Sequence, residues 1–347
     1  MQDNIYRTKL CGDLSEDDLD KEITVCGFVD SIRDHGGILF LDLRDSEGVL
    51  QVKSENNEMF AGLRKESVVQ IHGRVIRRSL DDINDKIKSG KVELVAYNVK
   101  VLSECLVDLP FEIKTSKNVS EDIRLKYRYL DLRNPKMHKI VLLRSKVLNY
   151  IRNIMVKDDF VEVETPILTT SSPEGARDFV VPSRLYHGKF YALPQAPQIY
   201  KQLLMVSGFN KYFQIAPCFR DEDTRSDRTL EFYQLDIETS YPEIDQLYKL
   251  GESICLKIFK KFSDKKLLYK KFPRISYSDA MLKYGTDKPD LRNPLEIIDL
   301  TNEFMDTSFK PFRNTTVRGI KVDGLSDKTN SWYNDIVSYA ESIGMPG

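Results

Sequence analysis

Twenty residues, Phe219 to Glu238, read FRDEDTRSDRTLEFYQLDIE and hold three arginines, seven acids and no lysine. Arginine is a planar, permanently charged, bidentate donor, the side chain best matched to phosphate and carboxylate oxyanions. A solvated helix carrying this much charge would interleave Glu with Lys at helical spacing, and this stretch does not. Its second half alternates instead, Leu230, Phe232, Leu235 and Ile237 against Glu231, Gln234, Asp236 and Glu238, which predicts a strand. The apolar run YFQIAPCF precedes it, so the pair reads as a hairpin with a highly ionised tip. An exposed, internally salt-bridged loop is the competing reading of the same charges.

Other elements must position that tip. Upstream, Ile140, Leu143, Val147, Ile151 and Ile154 recur at helical spacing and predict a helix over about 140–158. FVEVETPIL follows as an alternating strand stopped at Pro166, then the loop TTSSPEGARDFVVPS, strand-like KFYALPQ and helical QIYKQLLMVSGF. A further helix is expected over about 243–262. Hairpin connections among mixed strands and helices argue for an antiparallel sheet with flanking helices.

Residues 22–105 are different in kind. Five strand-like segments, EITVCGFVDSIRD, GGILFLDLRD, GVLQVKS, SVVQIHGRVIRRS and KVELVAYNVKVL, are separated by turn residues such as Gly36-Gly37 and Asp45-Ser46-Glu47-Gly48. ENNEMFAGLRKE, a short helix candidate with Met59, Phe60 and Leu63 apolar, lies between the third and fourth. That order is the order of an OB-fold barrel, with a generic small β-barrel as the alternative. Arg33, Phe40, Arg44 and Gln51 fall on the strand 2–3 face, where an aromatic stacks on a base and an amide bonds its edge. Phe40 taken alone reads equally as core. Residues 106–140 form a polar, basic connector, either a phosphate contact or a solvated linker.

The 347 residues are enough for two domains and part of a third, with 41% hydrophobic and 30% charged residues and a net charge of −1. The first 106 residues carry 15 basic against 20 acidic side chains, so nucleic-acid binding there needs a local patch. Five cysteines, at 11, 26, 105, 218 and 255, stand singly with no C-x-x-C pair, and the four histidines are dispersed. Neither a zinc site nor a disulfide framework is indicated, and a reduced, cytoplasmic protein is expected. No apolar run reaches the roughly twenty residues of a membrane helix. There is no Walker loop and no G-x-G-x-x-G, so a nucleotide needs another mode of binding.

FVEVETPIL resembles the first signature of the class II aminoacyl-tRNA synthetases, and FRDEDTRSDRTLEFYQLDIE the second, in the bacterial-type aspartyl form. PEGARDF, QAPQIYKQLLM and YGTDKPDLRNP resemble active-site segments of the same family, and the barrel its anticodon-binding domain. The resemblance covers the whole chain. It implies an α+β multidomain fold: an OB-fold anticodon-binding domain at 1–106, a hinge at 107–140, a class II catalytic domain at 141–287, and the start of an inserted α+β domain at 288–347.

The reaction implied is attack of the aspartate carboxylate on the α-phosphate of ATP, assisted by Mg2+, and then transfer to tRNA. Arg220 matches the arginine bridging α-phosphate and substrate carboxylate. Asp221, Glu222 and Thr229 match ATP contacts, and Phe232 the aromatic that stacks on adenine. Asp236, Gln198 and Glu174 match ligands of the substrate ammonium, Glu174 on a mobile loop. Lys201 matches the cation that pairs with the substrate side chain and so favours Asp over Asn. Ala196 departs from the Ser frequent there. Anticodon contacts carry over to Arg33, Phe40, Gln51, Arg78 and Glu93. His35 matches a residue that accompanies charging of both tRNA(Asp) and tRNA(Asn), which would require a partner amidotransferase; Asp81 departs from the glycine that usually accompanies it. Pro166 would lie at a homodimer interface. The third signature and the magnesium carboxylates of the family would lie beyond Gly347, so the chain as given is expected to make adenylate poorly. A non-catalytic tRNA-binding fragment and an amino-acid ligase relative without a tRNA substrate are the alternatives.

Overall fold

Alternation of period two over Glu22–His35 builds β1, whose even-spaced Val25 and Val29 are fully buried. In the computed structural model, which describes residues 4–56, 58–172, 174–225 and 228–345, β1 is long enough to serve two partners. Its first half pairs with β4 (Val68–Arg77) and its second with β2 (Ile38–Arg44). With β3 (Val49–Ser54) and β5 (Val92–Ser103) it closes a barrel of order β1-β2-β3-β5-β4, the expected OB-fold. Leu41, Leu43, Leu50 and Leu94 point inward and are fully buried, each contributing about 1.5–3 kcal/mol. Gly73 is required where β4 crosses β5: a Cβ there would stand 2.1 Å from the Val95 carbonyl oxygen.

The helix expected between β3 and β4 is not formed. Residues 58–63 make successive i→i−3 turns, and Gly62 at φ +75° stops propagation. Phe60 still reaches the core, with Met59 and Leu63 packed against it.

Arg44 is also not on the open face. It is 9% exposed and bonds Asp30 (3.2 Å) and Glu66, with its guanidinium 5.5 Å from the Phe28 ring centre. Arg133 joins the same Glu66 at 2.7 Å, and Lys114 lies 2.5 Å from Asp30. The connector is therefore neither a solvated linker nor free to meet phosphate through these cations. Phe111, Ile113 and Leu130 form a small core of their own, and fully buried Asp131 accepts from Ser116 and is paired with Arg128. It contains α1 (Glu121–Lys126) and α2 (Arg128–Asp131). Removing one member of a buried ion network strands the others. Glu66→Ala is expected to lower unfolding stability by about 3 kcal/mol, read as the urea midpoint, while breaking the exposed Arg74–Asp20 pair leaves that midpoint in place.

The chain divides into two units, 1–138 and 139–347. Helix α3 (Pro135–Lys157) starts five residues earlier than its apolar spacing predicts, because Asn134 accepts from the Lys136 N–H ahead of Pro135 at the first turn. In the second unit, β9 (Lys211–Phe219) and β10 (Glu231–Thr239) form the predicted hairpin. Beside them β6 shrinks to Val161–Glu162, parallel to β9. Beyond it the Val163 N–H still bonds the Phe213 carbonyl (3.3 Å), but residues 164–168 join no ladder and the chain bends at Ile167–Leu168, since a strand exists only where a neighbour supplies the ladder. A second hairpin pairs β7 (Val180–Pro182) with β8 (Phe190–Ala192), and α4 (Gln198–Val206) and α5 (Ile244–Phe262) fall where expected. Phe213, Leu235 and Ile237 pack with Ile154, Met155 and Ile254 of α3 and α5 to make the core. Further on come α6 (Tyr277–Tyr284), the pair β11 (Ile297–Asp299) and β12 (Arg318–Ile320), and α7 (Asn330–Ser342). Among the described residues, no helix is long and apolar enough to cross a membrane, and all five cysteines are free.

Candidate functional site

Side chains alternate across a strand, so core burial of Leu235 and Ile237 puts Phe232, Gln234, Asp236 and Glu238 on the opposite face of β10. Phe232 thus belongs with the polar residues, a correction to its grouping with the apolar set. Facing them from β9 are Gln214 and Cys218, opposite Asp236 and Phe232 in register. Cys218 donates to Gln234 Oε1 at 3.3 Å, and burial pushes its thiol up to about 11. Gln214 Oε1 accepts from Thr165 (2.9 Å) and from the fully buried Tyr212 hydroxyl (2.8 Å).

Lys201 reaches this face from the first turn of α4. Its Nζ stands 3.0 Å from Asp236 Oδ1 and 3.4 Å from Glu238 Oε2. Burial opposes its charge, but the hydrogen bond and charge of Asp236, with Glu238 behind, outweigh that and hold its pKa above the ordinary lysine value. For Asp236 burial wins over Lys201, and its carboxyl sits above the ordinary aspartate range. Gln198 precedes Lys201 by three residues, hence on the same side of α4.

At the tip, the Arg220 guanidinium lies 5.1 Å from the Phe232 ring centre, a cation–π distance. Arg220, Glu222, Thr229 and Phe232 line one cavity of about 350 Å³. A neighbouring one of about 310 Å³ is lined by Asp221, Glu222, Arg225, Arg228 and Arg177. Thr229 Oγ1 donates to the Glu231 carbonyl at 2.6 Å. Among the described residues, two buried atoms on this surface have no hydrogen-bond partner: Arg220 Nε and Asp236 Oδ2. A buried donor or acceptor left unmade costs about 1–3 kcal/mol, more when charged. One cationic and one anionic atom in that state suit a ligand bearing both signs. Glu174 makes no ion pair with Lys201; it accepts from Ser172 (3.3 Å) and lines a cleft with Tyr200 and Gln195, while its charge helps raise the Cys218 thiol on the strand face.

On the barrel, Phe40 stands opposite Arg33 on one side and Lys53 on the other, placing all three on one outer face. Gln51 is held from both ends. Its Nε2 donates to Glu93 (2.8 Å) and its Oε1 accepts from Arg33 (3.4 Å). Because carboxylate only accepts and guanidinium only donates, the amide orientation is fixed, leaving one N–H and one lone pair for a base edge. Asp42 bonds Arg33 (2.9 Å) and Lys53 lies 2.9 Å from Glu93. Neither was anticipated, although their parity with Phe40 and Gln51 in LFLDLR and QVKS marks them. Arg78 is buried and donates to the Val92 (3.1 Å) and Asp82 (3.4 Å) carbonyls, and burial, opposed by Glu93, pulls its pKa below the arginine norm. It thereby holds the Leu80–Asp82 turn on which exposed Asp81 sits. His35 ends β1 beside the Gly36-Gly37 turn, edge-on to Phe40 with ring centres 5.8 Å apart.

A nucleic-acid-type barrel ahead of an antiparallel hairpin with an arginine-rich tip defines a two-part architecture, an OB-fold joined to a class II synthetase sheet. The chain belongs to the class II tRNA synthetases of the D, K and N group, whose family profile matches residues 120–333, and a profile for the OB-fold nucleic acid binding domain matches residues 23–102. It is 49% identical over 356 residues to the aspartate–tRNA(Asp/Asn) ligase of Pelagibacter ubique, and 48% identical over 357 residues to that of Ehrlichia ruminantium. Each match covers 99% of this chain and 60% of the relative, so the chain spans about three-fifths of the length of these proteins. Among solved structures it is similar to asparaginyl-tRNA synthetase from Pyrococcus horikoshii complexed with asparaginyl-adenylate, with TM-score 0.67 and 25% identity over 81% of this chain and 66% of that one.

Proposed function

We propose that the protein activates L-aspartate with ATP and ligates it to tRNA. A carboxylate oxygen of aspartate attacks the α-phosphorus, the bond to the β-phosphate breaks, and pyrophosphate leaves. A terminal ribose hydroxyl of tRNA then attacks the aspartyl carbonyl and AMP leaves. The observation that carries this reading is Lys201, held charged against the β10 face by Asp236, together with Arg220 Nε and Asp236 Oδ2, buried without a partner among the described residues. Two anions must meet in activation. Arg220 bridges them, because a guanidinium offers two parallel donors. Lys201 binds the substrate side-chain carboxylate and Asp236 its ammonium, with Gln198 and Glu174 completing the ammonium shell. Replacing Asp by Asn would leave the lysine unmatched in a dry site, at a cost of several kcal/mol. Phe232 stacks adenine, while Asp221, Glu222 and Thr229 contact the nucleotide. Magnesium enters with ATP to offset triphosphate charge; among the described residues no group of three or more His, Cys, Asp or Glu is spaced to hold a metal by itself. Aspartate-dependent pyrophosphate–ATP exchange by the full-length protein tests the reading, and exchange equally supported by asparagine overturns it.

The barrel reads the anticodon of tRNA, with Phe40 stacking, Gln51 presenting its amide, and Arg33, Arg78 and Glu93 framing it. His35 admits the third anticodon base of both tRNA(Asp) and tRNA(Asn), since an imidazole bonds either edge, while Asp81 sits on the neighbouring turn. Double charging requires an amidotransferase downstream. Both transcripts are expected to be charged with comparable efficiency, and His35→Leu to favour tRNA(Asp) by tenfold or more, about 1.4 kcal/mol; a hundredfold preference in the parent overturns the assignment. A cytoplasmic homodimer fits the exposed Ile140, Val141 and Leu143 of α3 and Ile167 beside Pro166.

A further inference from the structure

Gln195 lies between β8 and α4 and is 2% exposed, yet none of the roles above uses it. All of its amide capacity is turned on one segment. Oε1 accepts from the Ala176 N–H (3.1 Å), and the two Nε2 hydrogens go to the Ala176 carbonyl (2.9 Å) and the Asp178 carboxylate, with the Ser172 carbonyl (3.4 Å) a longer, shared contact. Asp178 is held in turn by Ser171. The segment it grips is the one bearing Glu174, with Gly175 at φ +98°. It does not end there: Asp221 N–H donates to the Arg177 carbonyl (3.0 Å) and Arg177 Nε to the Asp221 carbonyl (3.3 Å). One buried amide therefore fixes a loop whose other edge is bonded to the arginine-rich tip.

We propose that Gln195 is a positioning residue. It touches no substrate, but clasps Ser172, Ala176 and Asp178 so that Glu174 is presented to the amino-acid subsite and Arg177 stays joined to Asp221 of the phosphate loop. This rests on the function proposed above for Glu174. The physical reason is stoichiometric. An amide carries both a donor and an acceptor, and Ala176 needs both; a carboxylate lacks the donors and would add a second negative charge beside Asp178, while a thioether of similar size supplies neither. Three bonds made inside a buried pocket, one accepted and two donated, raise the free energy of opening the loop well above that of an ordinary exposed turn.

The test compares the full-length parent with Q195M and Q195E. Amide hydrogen exchange of the ligand-free proteins is expected to quicken about tenfold or more at Ala176 and Asp221 in both variants, with Leu235 and Ile237 in the sheet unchanged. In aspartate-dependent pyrophosphate exchange, the KM for aspartate is expected to rise about tenfold while kcat and the KM for ATP stay within about threefold. Parent-like exchange at Ala176 and Asp221 overturns the clasp, as does acceleration spread equally through the sheet, which marks a purely structural residue. A fall in kcat at constant KM also overturns it. Should the parent show no aspartate-dependent turnover, the proposed function fails, and the amide exchange alone decides whether Gln195 holds the loop.

Discussion

Arg220→Ala, made in the full-length protein, is expected to lower the rate of the proposed aspartyl-adenylate formation by about 10²–10³, roughly 2.7–4 kcal/mol of transition-state stabilisation. The effect falls on the chemical step because a preorganised guanidinium needs no rearrangement when charge builds on the α-phosphate. Stability responds much less. Arg220 makes no ion pair among the described residues, its Nε has no partner, and its contact is the Phe232 ring. Removing it deletes an unsatisfied buried donor as well as a cation–π contact, two changes of opposite sign. Single-turnover adenylate formation and thermal unfolding, measured on one preparation, separate the two. Turnover within a few fold of the parent would remove Arg220 from the chemistry, and loss of turnover accompanied by unfolding would show that it is a folding element.

Lys201→Met has the opposite profile, because Lys201 is structurally paired. Losing it strands Asp236 and Glu238 beside each other, and about 3 kcal/mol of stability is expected to go at neutral pH. The KM for aspartate is expected to rise a hundredfold or more, about 2.7 kcal/mol. The stability deficit depends on pH with a definite sign. Asp236 already has a folded-state pKa above its unfolded value, through burial. A raised carboxyl binds its proton more tightly when folded, so it adds stability at low pH that is lost as pH rises through the folded pKa. Lys201 supplies the contributions that lower that pKa, so in the variant it climbs further and the window widens upward from the ordinary value of 3.8. The melting temperature of Lys201→Met should therefore recover towards the parent's as pH falls from 8 to 5. A pH-independent deficit would show that Asp236 is not the group left stranded.

How much of this was legible in the residues differs from element to element. The barrel was, since each of its five strands carries its own inward and outward alternation and its own turn residues. The hairpin was for the same reason, and with it the membership of Arg220, Phe232 and Asp236 in one loop and strand. Helix α3 was legible except at its start, where a capping Asn134 and Pro135 outweighed the apolar period. Residues 58–63 misled because Met59, Phe60 and Leu63 bury equally well from consecutive turns, and Gly62 removes the helix.

Arg44 shows where a local reading stops. It shares parity with Phe40 and Asp42, and nothing in LFLDLR distinguishes its end of the strand from theirs. Only the connector, folding back with Arg133 and Lys114, covers that end and converts a base-facing cation into a buried ion pair. Gln195 is the same case in reverse: one amide in LPQAPQ acquires a role only when Ser172, Ala176 and Asp178 are brought around it.

The sequence by itself determined which residues share an element and which face of that element they occupy, because strand and helix periods are set by backbone geometry within a few residues. It determined the residue types available to meet two anions and an ammonium. Tertiary structure alone decided which polar groups meet: Lys201 with Asp236 across 35 positions, the Gln51 amide with Glu93 across 42, and the Arg177 guanidinium with the Asp221 main-chain carbonyl across 44. Those pairings depend on chain closure, burial and the resulting loss of water around each ion, none of which a local period encodes.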